Sequence, residues 1–193
     1  IARVLASEIR KKKLQEYLLR LSYQDQLTGI QNNTSYIRML NQLLEHPVPV
    51  GVAFADLNGL KYLNDTYGHE YGDQALRHLA EVGMEYFAKD QLYRISGDEF
   101  VIICPKVQEE VFIRQAQLLK ERLKQEEQGL AAFGYLWNDG TTAADRLLHG
   151  AERLMYQEKQ QHYRDSTRRV QECPGYAQAL YKRYRQQGKS EIK

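Results

Sequence analysis

The middle of this 193-residue chain reads Gln91-Leu-Tyr-Arg-Ile-Ser-Gly-Asp-Glu-Phe-Val-Ile-Ile-Cys104. Two apolar runs, 91–95 and 100–104, flank a short segment in which Gly97 and Asp98 tolerate the backbone angles of a tight turn. The pattern predicts an antiparallel β-hairpin that carries two adjacent carboxylates, Asp98 and Glu99, at its tip.

A second acidic position lies upstream, where Asp56 directly follows the apolar run Val50-Gly-Val-Ala-Phe-Ala55. Such a run predicts a buried strand, and ligands of open sheets bind beyond the carboxyl ends of strands. If this strand neighbours the hairpin, three carboxylates converge, and their repulsion favours a bound cation such as Mg²⁺. Taken singly, each has an ordinary alternative: Asp56 as a helix cap, and Asp98-Glu99 as solvated turn charge.

The rest of the chain alternates between helical and strand-like segments. A further strand is predicted at 130–137, and helices at 1–24, 35–45, 60–67, 73–87, 108–128, 143–161 and 176–187. This order, with one hairpin in the middle, favours an α/β or α+β fold in which helices pack against a sheet of about five strands.

The composition is that of an ordinary folded protein, with 27% charged residues and a formal net charge of +2. A charge so close to zero gives no support for a nucleic-acid or membrane-surface binder, and no apolar run approaches the ~18–20 residues of a membrane span. We therefore expect no nucleic-acid partner and no direct membrane contact by this segment. The small net charge nevertheless conceals an acidic centre. Residues 21–173 contain 16 basic and 22 acidic residues, whereas residues 1–20 contain six basic and two acidic residues, and residues 174–193 contain five basic and one acidic residue.

The N-terminal segment has a pattern of its own, because Leu14, Leu18 and Leu21 follow heptad spacing without an intervening Pro or Gly. It is either an amphipathic helix lying on the domain or a stalk that pairs two chains, and the stalk is our expectation. The chain begins with Ile1 rather than Met, which predicts that the natural protein continues upstream. Its two cysteines form neither a CxxC pair nor a zinc spacing, which favours a reducing cytosol.

Four segments together resemble the GGDEF family of diguanylate cyclases. In the family's order, over residues 22–164, they are Asp25-Gln-Leu-Thr-Gly29, the run Asp56–Asp73, Arg94-Ile-Ser-Gly-Asp-Glu-Phe100 and Ala151-Glu-Arg-Leu-Met-Tyr-Gln-Glu-Lys159. The third is the family signature in an SGDEF variant, with Ser96 in place of the first glycine.

The resemblance implies a mostly antiparallel five-stranded sheet surrounded by helices, similar to nucleotidyl cyclases and the palm of polymerases. It implies a dimer in which each chain holds one GTP and each 3′-hydroxyl attacks the α-phosphorus of the other GTP, giving cyclic di-GMP and two pyrophosphates. Two Mg²⁺ (or Mn²⁺) ions per active site would assist this attack. A GGDEF domain at 25–164 would lie between the stalk at 1–24 and a C-terminal helical extension at 165–193. The resemblance also implies a cytoplasmic location and a fused or partner sensory domain upstream.

The resemblance also implies roles for the carboxylates. Asp56 would bind both metal ions, with the main-chain carbonyl of Leu57 as a further ligand. Asp98 would be the other metal carboxylate, and Glu99 would hold the second metal or orient the attacking hydroxyl. Asp56, Asp98 and Glu99 are therefore the expected catalytic residues.

Substrate-binding positions follow in the same way. Lys61 and Lys159 match positions that hold the terminal phosphates as point charges, although without the motif each is an ordinary surface lysine. Gly97 would let the hairpin backbone approach the nucleotide closely.

Asn64 and Asp73 match the base-reading positions of the family. A carboxylate accepts both the N1–H and N2–H₂ donors of guanine, and adenine lacks that arrangement, so such a site discriminates strongly. Their ordinary alternatives are a turn residue for Asn64 and a helix cap for Asp73. Leu27 and Leu60 are expected to line the base pocket.

Three departures from the family pattern bear on activity. Ser96 fits an ordinary backbone conformation, but at positive φ it would be strained by ~1 kcal/mol or more. Tyr163 replaces an Arg that the family often places near phosphate, with Arg164 beside it as a substitute. The family's product-inhibition site is Arg-x-x-Asp, and Phe87-Ala-Lys-Asp90 keeps only the Asp, which predicts that inhibition through this site is absent.

Two functions from different classes therefore stay open. The first is an active, metal-dependent diguanylate cyclase that acts as a homodimer on GTP. The alternative, motivated by Ser96 and Tyr163, is a degenerate GGDEF module that binds GTP without turnover and regulates a partner domain.

Overall fold

The computed structural model of the chain describes residues 2–126 and 130–169, and the side chains of these except 2–7, 15–17, 19, 20 and 163–169. The strands in these ranges are β1 (Gln31–Asn32), β2 (Val50–Leu57), β3 (Leu92–Ser96), β4 (Glu99–Pro105) and β5 (Ala131–Asn138). The helices are α1 (Ala2–Tyr23), α2 (Asn33–Glu45), α3 (Leu60–Tyr67), α4 (His69–Met84), α5 (Glu109–Gln125) and α6 (Ala144–Arg169). The helix predicted at 176–187 and the side chains of Tyr163 and Arg164 lie outside the described residues.

The strands form one sheet in the order β1-β3-β4-β2-β5. The pairs β3–β4, β4–β2 and β2–β5 are antiparallel, and only β1 runs parallel to its neighbour β3. The prediction of a mostly antiparallel five-stranded sheet flanked by helices is therefore confirmed. Among the described residues, no helix combines the length and the apolar character needed to cross a membrane.

Alternate residues of β2 belong to two different cores, because successive side chains of a strand point to opposite faces. Ala53, Ala55 and Leu57 pack with apolar residues of α3, α4 and α5. Val52 and Phe54 pack on the other face, with residues of α2 and α6. The same alternation directs Asp56 towards the α6 face of the sheet.

Close packing of α6 on the sheet depends on a glycine in β5. A Cβ added to Gly134 would overlap the backbone of α6 at Ala151 and Met155. A side chain at this position would push α6 away from β5, and the residues that α6 brings to the end of β2 would move with it.

The structure corrects several predicted boundaries. The strand predicted at 50–55 continues to Leu57, so Asp56 lies inside β2 rather than after it. The helix predicted at 73–87 begins at His69, because Gly68, with φ 89°, serves both as the end of α3 and the start of α4. Helix α6 continues to Arg169, beyond the predicted end at 161.

Helix α1 leaves its described apolar side chains in solvent. Ile9, Leu14, Leu18 and Leu21 are 43–56% exposed, so these four side chains do not pack on the domain. The C-terminal end of α1 is nevertheless anchored, because the hydroxyl of Ser35 donates a 2.7 Å hydrogen bond to the carbonyl of Tyr23.

Candidate active site

The two predicted acidic positions meet at the end of β2. Asp56 is the register partner of Glu99 on β4, and the main-chain N–H of Leu57 donates a 3.1 Å hydrogen bond to the carbonyl of Asp98. Asp56, Asp98 and Glu99 thus lie at one edge of the sheet, which we call the carboxylate edge. Strand pairing, rather than any local signal, produces this convergence.

The hairpin tip is built without backbone strain. Ser96 pairs with Glu99, which leaves Gly97 and Asp98 as a two-residue turn. Neither Ser96 nor Gly97 has a positive φ, and Lys106 is the non-glycine residue that does among those described. Ser96 therefore fits its position. No atom of the described residues lies within 4 Å of a Cβ built at Gly97, so the chain's own packing does not require glycine there.

Lys159 of α6 reaches the carboxylate edge. Its Nζ lies 2.6 Å from each carboxylate oxygen of Asp56, a residue that is only 5% exposed. Burial raises the pKa of Asp56; the hydrogen bond from Lys159 opposes this rise, and the charges of Asp98 and Glu99 add to it. The edge is therefore a place where added positive charge is stabilising.

A neighbouring set of contacts fixes α6 against β5. The carboxylate of Glu158 accepts the main-chain N–H of Phe133 at 3.4 Å, and the ammonium of Lys120 donates to the Phe133 carbonyl at 3.3 Å. The two side chains also form a 2.8 Å ion pair. Because β5 is an edge strand, these bonds satisfy main-chain groups there, and they hold the residue next to Lys159 in place.

A groove of about 380 Å³ opens on the α3 face of the carboxylate edge. Gly59, with φ 72°, allows the chain to turn sharply from β2 into α3. The turn places Lys61 in the same groove as Asp98. The lining residues are Leu57, Gly59, Leu60, Lys61, Tyr62, Asp65 and Asp98.

The predicted base-reading residues lie at the junction of α3 and α4. The Oδ1 atom of Asn64 is buried and accepts no hydrogen bond within the described residues. Gly72 makes room for it, since a Cβ there would overlap this oxygen. Asp73 is next in α4 and half-buried, within the helix rather than at its cap, and Leu27 and Leu60 pack half-buried against the core. This junction offers a buried acceptor to a ligand that carries N–H donors.

The carboxylate edge suits a hard cation that shares its ligands with a substrate. No group of three Asp, Glu, His or Cys side chains within residues 2–126 and 130–169 is arranged to hold a metal by itself. Asp56 Oδ1 is buried and, although close to the Lys159 ammonium, accepts no hydrogen bond from the residues that the structure describes. Mg²⁺ prefers such oxygen ligands and completes its coordination with phosphates and water, so the residues present fit this ion.

A second groove, of about 430 Å³, opens from the carboxylate edge along α6. Besides Asp56, Glu99, Met155 and Lys159, it is lined by four residues that were not predicted as site residues: His149, Glu152, Arg153 and Tyr156. Their three- and four-residue steps from Lys159 place them on one side of the helix. That spacing, and for the last three their place in the segment Ala151–Lys159, were the signals in the sequence that could have identified them.

Comparison with known proteins agrees with this architecture. A family model described as "Diguanylate cyclase, GGDEF domain" matches residues 22–165. The crystal structure of the coiled coil and GGDEF domain of DgcB from Caulobacter crescentus, in complex with c-di-GMP, superposes with a TM-score of 0.65 at 22% identity, covering 82% of this chain and 93% of that chain.

Curated relatives carry two kinds of name. The cyclic di-GMP phosphodiesterase PdeR of Escherichia coli is 31% identical over 117 residues, which is 59% of this chain and 18% of PdeR. The diguanylate cyclase DgcP of the same organism is 31% identical over 188 residues, which is 82% of this chain and 52% of DgcP. The chain thus spans about half or less of these two proteins. The family match covers most of the residues that build the sheet and the carboxylate edge, and the chain therefore belongs to the GGDEF domain family.

Proposed function

We propose that this chain is a diguanylate cyclase that condenses two GTP molecules into cyclic di-GMP and two pyrophosphates. The observation that carries the proposal is the meeting of Asp56 with Asp98 and Glu99 at the end of β2, with Lys159 2.6 Å from Asp56. A nucleotidyl transfer needs such a concentration of oxygen ligands and cations at one point.

The carboxylate edge would hold two Mg²⁺ (or Mn²⁺) ions per active site. Asp56, Asp98 and Glu99 supply carboxylate oxygens, and the main chain of Leu57 supplies a carbonyl. Bound there, the ions would neutralise charge on the α-phosphate and lower the pKa of the attacking hydroxyl. Glu99 would also orient that hydroxyl, and Gly97 leaves the hairpin tip open to the nucleotide.

The substrate would lie across α3 and α4. Lys61 in the α3 groove and Lys159 would bind the terminal phosphates as point charges. The buried Oδ1 of Asn64 and the carboxylate of Asp73 would accept the N–H donors on the edge of guanine, an arrangement that rejects adenine. Leu27 and Leu60 would cover the faces of the base.

The reaction as proposed requires a homodimer, because each GTP supplies the 3′-hydroxyl that attacks the other. The exposed leucines of α1 support pairing of two chains along the stalk. We place the domain in the cytoplasm, downstream of a fused or partner sensory domain.

Incubation of the dimeric protein with GTP and Mg²⁺ tests the proposal. We expect cyclic di-GMP to form and Asp56→Ala to abolish its formation while the protein stays folded and dimeric. Dimerisation must be verified by light scattering, since a monomer would be inactive under either hypothesis.

The alternative is a module that binds GTP without turnover and regulates a partner domain. Tyr163 at a position where the family often has Arg favours it, and so does the likeness to PdeR, whose name is that of a phosphodiesterase. Ser96 does not favour it, because its backbone is unstrained. GTP binding without product, in a protein shown to be dimeric, would establish this function.

A further inference from the structure

The groove along α6 begins at the same carboxylates as the α3 groove but lies on the other side of the sheet. Asp56 shares the face of Val52 and Phe54, which pack with α6, whereas Leu57 shares the face of α3 and α4. The α3 groove contains Leu57 and Asp98, and the α6 groove contains Asp56 and Glu99. The carboxylate edge thus separates two grooves of similar size.

The chemistry proposed above brings two nucleotides to this edge. The two phosphodiesters and the two riboses of the product form one ring, from which the two guanine bases extend in opposite directions. If the first guanine lies at Asn64 and Asp73, on the α3 and α4 side, then the second nucleotide extends to the opposite side of the carboxylates. The α6 groove is the space that opens there.

We propose that the part of the α6 groove lined by Arg153 and Tyr156, beyond Lys159, receives the ribose and phosphate of the second GTP, the one carried by the partner chain. This inference rests on the proposed function and adds residues to it. Arg153 would bind a phosphate of the second nucleotide, and Tyr156 would pack its ring against the ribose.

The side chains of the groove suit this ligand. Arg153 offers a planar guanidinium that binds phosphate with two parallel hydrogen bonds. Tyr156 is 57% exposed, so the face of its ring is accessible to pack against a sugar. Glu152 adds a negative charge to the groove. Its Oε2 atom lies 3.4 Å from Nδ1 of His149, so the imidazole of His149 is a direct neighbour of this carboxylate.

A binding experiment tests the groove independently of turnover. We would measure the affinity of the full chain, with Mg²⁺, for the linear dinucleotide pGpG and for GMP by titration calorimetry. Both probes offer one guanosine to the first site, and only pGpG offers a second nucleotide to the α6 groove. We expect pGpG to bind the wild type about tenfold more tightly than GMP, as one good additional phosphate contact provides.

Variants on α6 locate the source of this advantage. Arg153→Gln and Tyr156→Ala should reduce the ratio of the two affinities below about threefold and leave GMP binding unchanged. Tyr156→Phe, which keeps the ring, should retain the ratio. Arg146→Gln is the matched control, because Arg146 is exposed on α6 but does not line the groove. Circular dichroism verifies that each variant is folded.

Three results would overturn the inference: no advantage of pGpG in the wild type, an advantage that survives both groove variants, or an equal loss in Arg146→Gln. A loss of GMP affinity in the groove variants would be a fourth such result, since Arg153 and Tyr156 would then bind the first nucleotide. Failure of the proposed function looks different. A wild type that shows the groove-dependent advantage but forms no cyclic di-GMP would refute the cyclase assignment alone.

Discussion

Arg94 forms an ion pair with Asp25, at 3.2 Å, while the same guanidinium donates hydrogen bonds of 3.0 and 2.8 Å to the carbonyl of Gly97. Asp25 follows the end of α1 by two residues, and Gly97 precedes Asp98 at the hairpin tip. One side chain therefore connects the end of the N-terminal helix to the carboxylate edge. The carboxylate of Asp25 also accepts hydrogen bonds from the main-chain N–H and the hydroxyl of Thr28, at 2.9 and 2.7 Å.

Replacing Asp25 with Asn should destabilise the fold in a pH-dependent manner. Burial by itself raises the pKa of Asp25, but the hydrogen bonds from Thr28 and the charge of Arg94 hold it below its ordinary value of 3.8. A carboxyl with a lowered pKa in the folded state stabilises the fold above its unfolded pKa, and the stabilisation is lost as the pH falls through the folded pKa.

We therefore expect Asp25→Asn to cost about 1 kcal/mol at neutral pH, a modest value because both partners are partly solvated. The difference from the wild type should shrink below pH 3.8. Thermal unfolding from neutral to acidic pH measures it. A difference that stays constant down to the lowest pH at which both proteins fold would contradict the assignment.

Product inhibition through the family's Arg-x-x-Asp site should be absent. The position of the Arg is held by Phe87, which is 3% exposed and packs against Phe112 with ring centroids 5.9 Å apart. Its side chain lies in the core, so this position presents nothing to a ligand on the surface. The buried ring of Phe87 is thus a second reason, besides the missing guanidinium, to expect no inhibition through this site.

Titration calorimetry with cyclic di-GMP checks this prediction against an Asp90→Ala variant. We expect identical binding curves for the two proteins, because any binding then occurs at the carboxylate edge. Low-micromolar binding that disappears in Asp90→Ala would contradict the prediction. Phe87→Arg should not create the site; it should destabilise the protein, because a charge would be buried without a partner.

Gly72 should be required for nucleotide binding rather than for stability. A Cβ at this position would overlap Oδ1 of Asn64 and lie 2.9 Å from Cδ1 of Leu60. Alanine is favoured over glycine inside a helix by up to about 1 kcal/mol, and the half-buried side chain of Asn64 can turn away from the new Cβ, so Gly72→Ala should remain folded. It should nevertheless lower GTP affinity about tenfold or more, as loss of one or two hydrogen bonds to the base would.

Gly83→Ala is the matched control on the same helix. Its Cβ would overlap Leu92 of the core, so this variant should lose stability and keep its GTP affinity. Calorimetric binding and thermal unfolding of both variants separate the two effects. Unchanged GTP affinity in Gly72→Ala would place the base elsewhere.

The hairpin and β2 could be predicted because their apolar runs are long enough to bury and end at turn residues. β1 could not be predicted in the same way. It consists of Gln31 and Asn32, has no apolar pattern, and is defined by its pairing with Tyr93 and Arg94 and by a bridge from Gln31 to Gln24. A strand that is formed only because a neighbouring strand pairs with it shows no hydrophobic periodicity in its own sequence.

The site shows the same limit. The carboxylates were recognisable from their motifs, but the contact between Lys159 and Asp56 joins residues 103 positions apart. It depends on the packing of α6 on β5, which Gly134 permits. Arg153 and Tyr156 belong to the groove through helical spacing, and solvent-exposed positions on any helix have the same spacing.

Disruption of the exposed leucine row on α1 should impair dimerisation. Leu14 and Leu18 are 56% and 52% exposed and lie one helical turn apart, so a second chain is needed to remove them from water. Leu18→Glu should raise the dimer dissociation constant at least about tenfold, because two like charges would face each other across the pair. Lys12→Glu, at an exposed position on the opposite side of α1, is the control. Light scattering over a dilution series measures the dimer, and cyclic di-GMP formation per chain should fall in parallel and recover at high protein concentration. A Leu18→Glu protein that remains dimeric at low concentration would show that the chains pair through another surface.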